Sequence, residues 1–569
     1  MTLNQYSLQS ERAIMSSLHE LLTESELFSL KGFALASGLT FAAVITYFIY
    51  IVIYNLFFHP LRHIPGPLFA RACPIPYALV LRKGAIIPWL KAQHDRYGEV
   101  VRMCPGQISF ISGETAWQDV QGFRTGKSKD SSHFTRDTNW APATLNGTTS
   151  IFGSNGEVHA RLRRNVAGGF SVSALRLQES LILEYADLLV SRLREVSTKG
   201  PIDMVDWYSF TAFDIIGDLI FSEPFGCLRD GKGHEWVPFV YNGVSNLPKL
   251  YTDKVWAIFK WYDTLRGMFE DQNKPLRTRL ALLAKSQKKV NECIAKVEKG
   301  TDKRVEASFF AGVIKKGGTE KGLTRNELDT IAMGFLGAGS ETTATILSGA
   351  TYMLLINPDK YEKLVHEIRT AFSSTEQITM DSANKLDYLV AVFQESFRHY
   401  PPVSTGIPRV APPGGADVSG YYIPGGTHVL IPQHAANRST RNFKDPDEFV
   451  PERWLGDPKY KHDKLSVVQP FGYGPMVCLG KNLAYAEMRV ILAKCLFAFD
   501  MELDESEKSE HWINKQPLGW VLSQIHGVLN RRETEKCLWQ SLNIKQRRWR
   551  GKCSSLYLFV ALKTLFVLF

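Results

Sequence analysis

Gln469–Phe499 reads QPFGYGPMVCLGKNLAYAEMRVILAKCLFAF, in which Gly472, Gly474, Pro475 and Gly480 crowd a turn around Cys478 before an apolar helical run over 480–498. A thiol at a helix N-terminus gains from free N–H groups and the positive end of the dipole, so its thiolate is stabilised. A thiolate so placed is a nucleophile or a metal ligand. No cysteine-protease arrangement accompanies it, and the flanking Phe471 and Leu479 are apolar, which suits a ligand to a large apolar cofactor better than acyl transfer. For an isolated cysteine the alternative is a buried structural side chain. The other seven cysteines (Cys73, Cys104, Cys227, Cys293, Cys495, Cys537 and Cys553) form no C-x-x-C pair or zinc spacing, a pattern that suits a reducing compartment.

A second segment, LTRNELDTIAMGFLGAGSETTATILSGATYMLLINP, places Thr324 and Glu327 at capping-box spacing and ends at Pro358, so it predicts one helix over 325–356. Gly334, Gly337 and Gly339 lie inside it, each costing roughly 1 kcal/mol against alanine. Glu341, Thr342 and Thr343 follow directly. The glycines admit either a flat ligand beside a helical bulge or water site, or a helix-packing notch.

The 569 residues are 44% hydrophobic, enough for a large core and incompatible with disorder. A net charge of +10 suggests an acidic partner, but +7 of it sits after residue 516, so nucleic-acid binding is not expected. Further helices are expected over 172–196, 208–222, 255–295, 358–373 and 384–399, with short strands at VVRMCP, QISFIS, YYIP and THVLIP. The fold class is therefore mainly α with a small β subdomain, in one domain over 88–516. Residues 32–58 carry no charge and exceed the roughly 20 needed to cross a bilayer, so they predict a transmembrane anchor. Arg62, Arg71, Arg82 and Lys83 follow it and Glu20, Glu24 and Glu26 precede it, which places residues 1–31 in the lumen and the bulk of the chain in the cytosol. Pro60, Pro65, Gly66 and Pro67 make 59–87 a proline-rich hinge. The sequons at Asn146 and Asn437 then fall on the cytosolic side and are chance matches.

With FGYGPMVCLG around Cys478, ESFR at Glu395–Arg398, PERW at Arg453 and AGSETT at 338–343, the chain resembles cytochrome P450 monooxygenases over roughly residues 65–516. The stretches DIIGDLIFSEPFGCL, HARLRRNVAGGFS and AWQDVQGFRTGK are most similar to fungal secondary-metabolism members of the isotrichodermin 15-hydroxylase type. The resemblance implies haem b ligated by the Cys478 thiolate, with Phe471 beside the sulfur and Gly474 and Gly480 letting backbone approach the haem; cysteine ligation in P450s is the standard example of this chemistry. It implies that Thr342 and Glu341 relay protons during oxygen activation, and that Ala338 and Gly339 leave room for oxygen and substrate. His159, Arg163 and Arg409 match haem-propionate positions, and Glu395, Arg398 and Arg453 a buried ion network. Phe335, Leu336, Val403, Ser404, Thr405, Gly406 and Ile407 would face substrate.

The implied enzyme is a single-pass endoplasmic reticulum protein that takes NADPH electrons from a P450 reductase, with cytochrome b5 as an optional donor, and oxidises an apolar terpenoid or polyketide. Desaturation, epoxidation or rearrangement on the same fold, and a non-catalytic haem-binding membrane protein, are the alternatives. Two departures stand out. Met476 replaces the arginine that the family offers to a propionate, and the tail over 517–569 lacks the family's closing pattern, which suggests a gene-model error such as a retained intron, with a genuine basic-plus-apolar membrane tail as the alternative.

Overall fold

Thr324 starts the axis of the molecule. Its hydroxyl accepts from the Glu327 N–H and the Glu327 carboxylate accepts from the Thr324 N–H at 2.8 Å, closing a capping box on the helix Arg325–Leu355. This geometry comes from a computed structural model describing residues 30–504, except 113, 124–132, 142–143, 238–245, 267–273, 301–303, 306–307 and 316–321, together with 528–533. The central helix has 31 residues, roughly 46 Å at the α-helical rise. It is regular throughout, with no bulge at the glycines.

The helices Val172–Val196, Met204–Phe221, Asp387–His399 and Lys481–Ala498 pack around it in one hydrophobic core. Met204–Phe221 starts earlier than the apolar pattern indicates, because the Asp203 carboxylate accepts from the Val205 and Asp206 N–H groups. The helix expected over 255–295 is interrupted. Leu247–Val255 ends at Trp256, whose backbone is extended and whose ring packs edge-on against Tyr77 and Tyr251; Ala257–Arg266 and Lys274–Lys299 follow.

A five-stranded sheet has the spatial order Val100–Cys104, Gln107–Phe110, His428–Leu430, Arg409–Val410, Thr135–Arg136. A hairpin joins Ala416–Val418 to Tyr421–Ile423. A third sheet sets Val528–Glu533 between Ile202–Asp203 and Phe499–Leu503, with Leu529 opposite Leu503 and Glu533 opposite Phe499. That strand lies inside the segment assigned to an atypical tail.

At the N-terminal end, Leu30–Ile53 is α-helical and Tyr54–Phe58 a π-helical turn, and the candidate membrane span is Phe33–Phe58. The following chain is a packed joint, in contrast to the hinge its prolines suggest: Leu61 and Ile64 are fully buried against Val100, Ile108 and Phe110 of the large sheet. Asn437 is fully buried, so its sequon offers no glycan acceptor in the folded chain.

Candidate active site

Cys478 sits where the sequence places it, in the turn before Lys481–Ala498, and its N–H donates to Phe471 O at 2.8 Å. The Phe471 ring lies 5.3 Å from Phe397 and 5.0 Å from Tyr485, in an aromatic cluster behind the turn. Cys478 keeps solvent-accessible surface, yet burial is the first cause that raises its thiol pKa. The two observations agree if the sulfur faces an enclosed space inside the fold rather than bulk water. The Gly480 and Lys481 N–H groups and Arg163 pull the pKa down, as the helix-terminus argument expects, but burial outweighs them.

The central helix supplies a second wall. Ala338 is exposed and Thr342 partly so, although Phe335, Leu336, Ser340, Glu341 and Thr343 of the same helix are buried. Thr342 Oγ1 donates to Ala338 O at 2.7 Å within the helix, which leaves its lone pairs free to accept. Glu341 is buried, its Oε1 has no partner, and burial pushes its carboxyl up to about 8. Gly339 does not open onto this space. A Cβ there would lie 2.6 Å from Ile216 Cδ1, so Gly339 is a helix-packing notch against Met204–Phe221.

Three further expectations change on the same ground. Phe335 and Leu336 are core residues: Phe335 stacks 6.5 Å from Phe310 and meets Phe170 edge-on at 5.3 Å, and Leu336 is fully buried. Ser404, Thr405 and Gly406 are buried in the turn after the Glu395 helix, with Gly406 at φ +73 and no room for a Cβ beside Ile431 O. Ile407 is exposed and Val403 half-buried, so these two keep surface for a ligand. Gly474, at φ +66, lets Gln121 O approach the turn, and a Cβ would lie 1.9 Å from that oxygen; Gly480 meets Cys478 Sγ and Phe170 only at ordinary contact distance.

His159 and Arg163 lie one turn apart on Gly156–Val166, and Arg163 Nη1 donates to Val477 O at 2.7 Å, beside the cysteine. Arg409 is buried; one guanidinium nitrogen donates to Gln121 Oε1 at 3.2 Å and Nη1 has no partner. The sequence alone does not single out Arg136, which the structure brings to the same cluster. Arg136 pairs directly across the sheet from Arg409, a like-charge juxtaposition that is unfavourable without an anion. Burial and Arg163 lower Arg136 to about 10, burial and Arg136 lower Arg409 to about 9, and burial with all three arginines lowers His159 to about 4. None of the three arginines pairs with a carboxylate among the described residues; the adjacent Asp137 faces His428 at 3.0 Å. Three arginines and a histidine without a counter-anion among the described residues, beside a lone thiol, fit a cofactor that brings both anionic groups and a metal for the thiolate. Arg136 also supplies charge that Met476 does not.

Behind the cysteine turn the predicted ion network is assembled and closed. Arg398 donates to both Glu395 oxygens at 2.9 and 2.7 Å, Arg453 Nε to Oε1 at 3.2 Å, and Trp454 Nε1 to Oε2 at 2.9 Å. Asp463 completes it as the second partner of Arg453.

A family model described as Cytochrome P450 matches residues 75–528. The cytochrome P450 monooxygenase traB of Penicillium crustosum is 42% identical over 471 residues, covering 81% of this chain and 90% of the relative. The cytochrome P450 monooxygenase lcsI of Purpureocillium lilacinum is 37% identical over 510 residues, covering 88% and 95%. Averantin hydroxylase of Dothistroma septosporum is 38% identical over 497 residues, covering 86% and 90%.

Proposed function

The chain belongs to the cytochrome P450 family, and we propose that within it the protein is a membrane-anchored enzyme that inserts oxygen into an apolar terpenoid or polyketide. The family assignment carries a monooxygenase activity, haem with a cysteine thiolate ligand, and NADPH-derived electrons delivered through a reductase. NADPH–P450 reductase, with cytochrome b5 as an auxiliary donor, and the endoplasmic reticulum membrane are the partner and location proposed here. The observation that carries the site is the cluster of Arg136, Arg163, Arg409 and His159, without a carboxylate partner for its arginines among the described residues, next to the Cys478 turn.

Cys478 would hold the haem iron, and Arg136, Arg163 and Arg409 would hold the propionates, which are the anions their buried charges lack. Bound haem supplies oxygen activation, with electron density pushed from the thiolate ligand. The protein orients substrate, excludes water and manages protons. Thr342 Oγ1, committed as donor to Ala338 O, accepts a hydrogen bond from a water and fixes its position. Glu341, with its carboxyl pushed up to about 8 by burial, keeps its proton at neutral pH and is a buried donor next in the chain to Thr342. Ala338, Val403 and Ile407 present apolar surface, which suits a hydrocarbon-rich scaffold. Averantin hydroxylase, by its name, hydroxylates its substrate, and hydroxylation is the reaction proposed for this chain.

The test supplies the full chain with reductase, NADPH and oxygen-18 gas, offers terpenoid and polyketide candidates, and reads product mass. One labelled oxygen in a product, absent with Cys478→Ala, is expected. A product that gains no oxygen, or product formation surviving Cys478→Ala, contradicts the reading.

A further inference from the structure

Gln121 ends the short helix Ala116–Gln121 and stands between the arginine cluster and the cysteine turn. Its side-chain oxygen accepts from Arg409 Nη2 at 3.2 Å. Its main-chain oxygen lies against the turn: a Cβ on Gly474 would come within 1.9 Å of it, and a Cβ on Gly472 would stand 3.8 Å from the side-chain oxygen itself. Gly472 and Gly474 are both left-handed, at φ +75 and +66, and at Gly474 no side chain fits. The helix is pinned to the approach to the same turn by Trp117, whose buried Nε1 donates to Val467 O at 3.0 Å. One residue therefore meets Arg409 with its side chain and the turn that carries Cys478 with its backbone.

That contact is an amide meeting a charge. Arg409 is buried, and Arg136 faces it across the strand pair. A neutral acceptor fixes the direction of the guanidinium and leaves its positive charge whole, whereas a carboxylate at the same place would discharge it. With Nη2 committed to Gln121, Nη1 is left without a partner. Another part of the turn is held in a different way, by Arg163 Nη1 on Val477 O at 2.7 Å. Arg409 makes no such direct bond to the turn among the described contacts, and the Met476 side chain brings neither charge nor a hydrogen-bond donor. Gln121 spans that gap.

We propose that Gln121 is a positioning residue for haem binding: it holds the Arg409 guanidinium in register with the cysteine turn, so that the Cys478 thiolate and the cation for a propionate are set at one spacing. It does so without neutralising Arg409. The proposal rests on the reading above in which Arg409 holds a propionate.

The test compares the full chain with Gln121→Leu, Gln121→Glu, Arg409→Met and the double variant Gln121→Leu with Arg409→Met. Haem affinity is read by absorbance titration, stability by thermal unfolding of the haem-free chain, and the bound haem by its midpoint potential. Gln121→Leu should weaken haem binding roughly tenfold, the order of one hydrogen bond to a charged group. It should add nothing in the Arg409→Met background, because the residue it acts through is gone. Gln121→Glu keeps an acceptor in place but pairs with Arg409. The haem-free Gln121→Glu chain should therefore melt no lower than wild type, while the midpoint potential falls, the ferric state gaining roughly threefold over the ferrous. A loss from Gln121→Leu that repeats in full in the Arg409→Met background, or a potential unmoved by Gln121→Glu, overturns the positioning role and leaves Gln121 a packing residue. Wild-type haem affinity in Arg409→Met overturns the propionate reading instead, and the proposal falls with it. If Gln121→Leu does not fold, Gln121→Glu decides alone, because its potential is read on haem already bound.

Discussion

Two buried charge clusters flank the cysteine turn, and they are built on opposite principles. Around Glu395, both guanidinium groups meet carboxylates, the backbone N–H of Val450 adds a bond at 2.8 Å, and Asp463 balances the second arginine. Around Arg409, three arginines and a histidine stand together, two guanidinium nitrogens (Arg136 Nε and Arg409 Nη1) have no partner, and two arginines oppose each other across a strand pair. The first cluster is complete in the chain itself and serves the fold. The second is complete only with an anionic ligand, so its residues carry a standing electrostatic cost that binding relieves.

That contrast predicts mutational effects of opposite sign. Glu395→Ala leaves the wholly buried Arg398 without a carboxylate and Arg453 with Asp463 alone, and should cost about 3–5 kcal/mol, giving a chain that fails to fold or melts far lower; thermal unfolding of the haem-free protein checks it, and near-parental stability would erase the distinction. Arg409→Met should leave the haem-free chain at least as stable as the parent while weakening haem binding roughly ten- to hundredfold, as expected for losing a charged hydrogen bond of about 1.5–3 kcal/mol. Haem titration followed by absorbance reads the second effect and thermal unfolding the first. Arg136→Leu should repeat this pattern more weakly, because Arg136 Nη1 also donates to Ile151 O at 2.9 Å and that bond is lost as well.

The smaller effects concern the central helix. Thr342→Ala removes a hydroxyl bonded only within its own helix among the contacts described, so stability should change by less than about 1 kcal/mol. Product formed per oxygen consumed should fall, and unchanged coupling would remove Thr342 from the proton path. Glu341 has a folded pKa of about 8 against an ordinary 4.5. Its raised pKa means the folded state binds a proton that the unfolded state releases, so the contribution is fully present below pH 4.5 and is lost as pH rises toward about 8. Glu341→Gln should flatten that stretch of the stability profile, and a profile identical to wild type would place the proton elsewhere.

Much of this was legible in the sequence where local chemistry decides the outcome. The Thr324–Glu327 capping box, the apolar period of 172–196 and the Gly-rich turn before Lys481 each act within a few residues, and the helices and turn stand where those signals put them. What a helical residue faces is decided by its neighbour. Gly339 looks like room for a ligand until Ile216 is seen filling it, and Phe335 like a substrate contact until Phe170 and Phe310 surround it. Arg136 carries no motif and acquires meaning only through strand pairing. The prolines of 59–87 suggest a hinge, but Leu61 and Ile64 within that segment are buried against the large sheet, a long-range contact that composition does not report.

The most direct test of the account is to express the full chain and its Cys478→Ser variant, supply haem, reduce both, add carbon monoxide and record the Soret band. The account predicts a strongly red-shifted, thiolate-type band in the parent and its loss in the variant. An unshifted band in the parent, or a red-shifted band that survives Cys478→Ser, would contradict it.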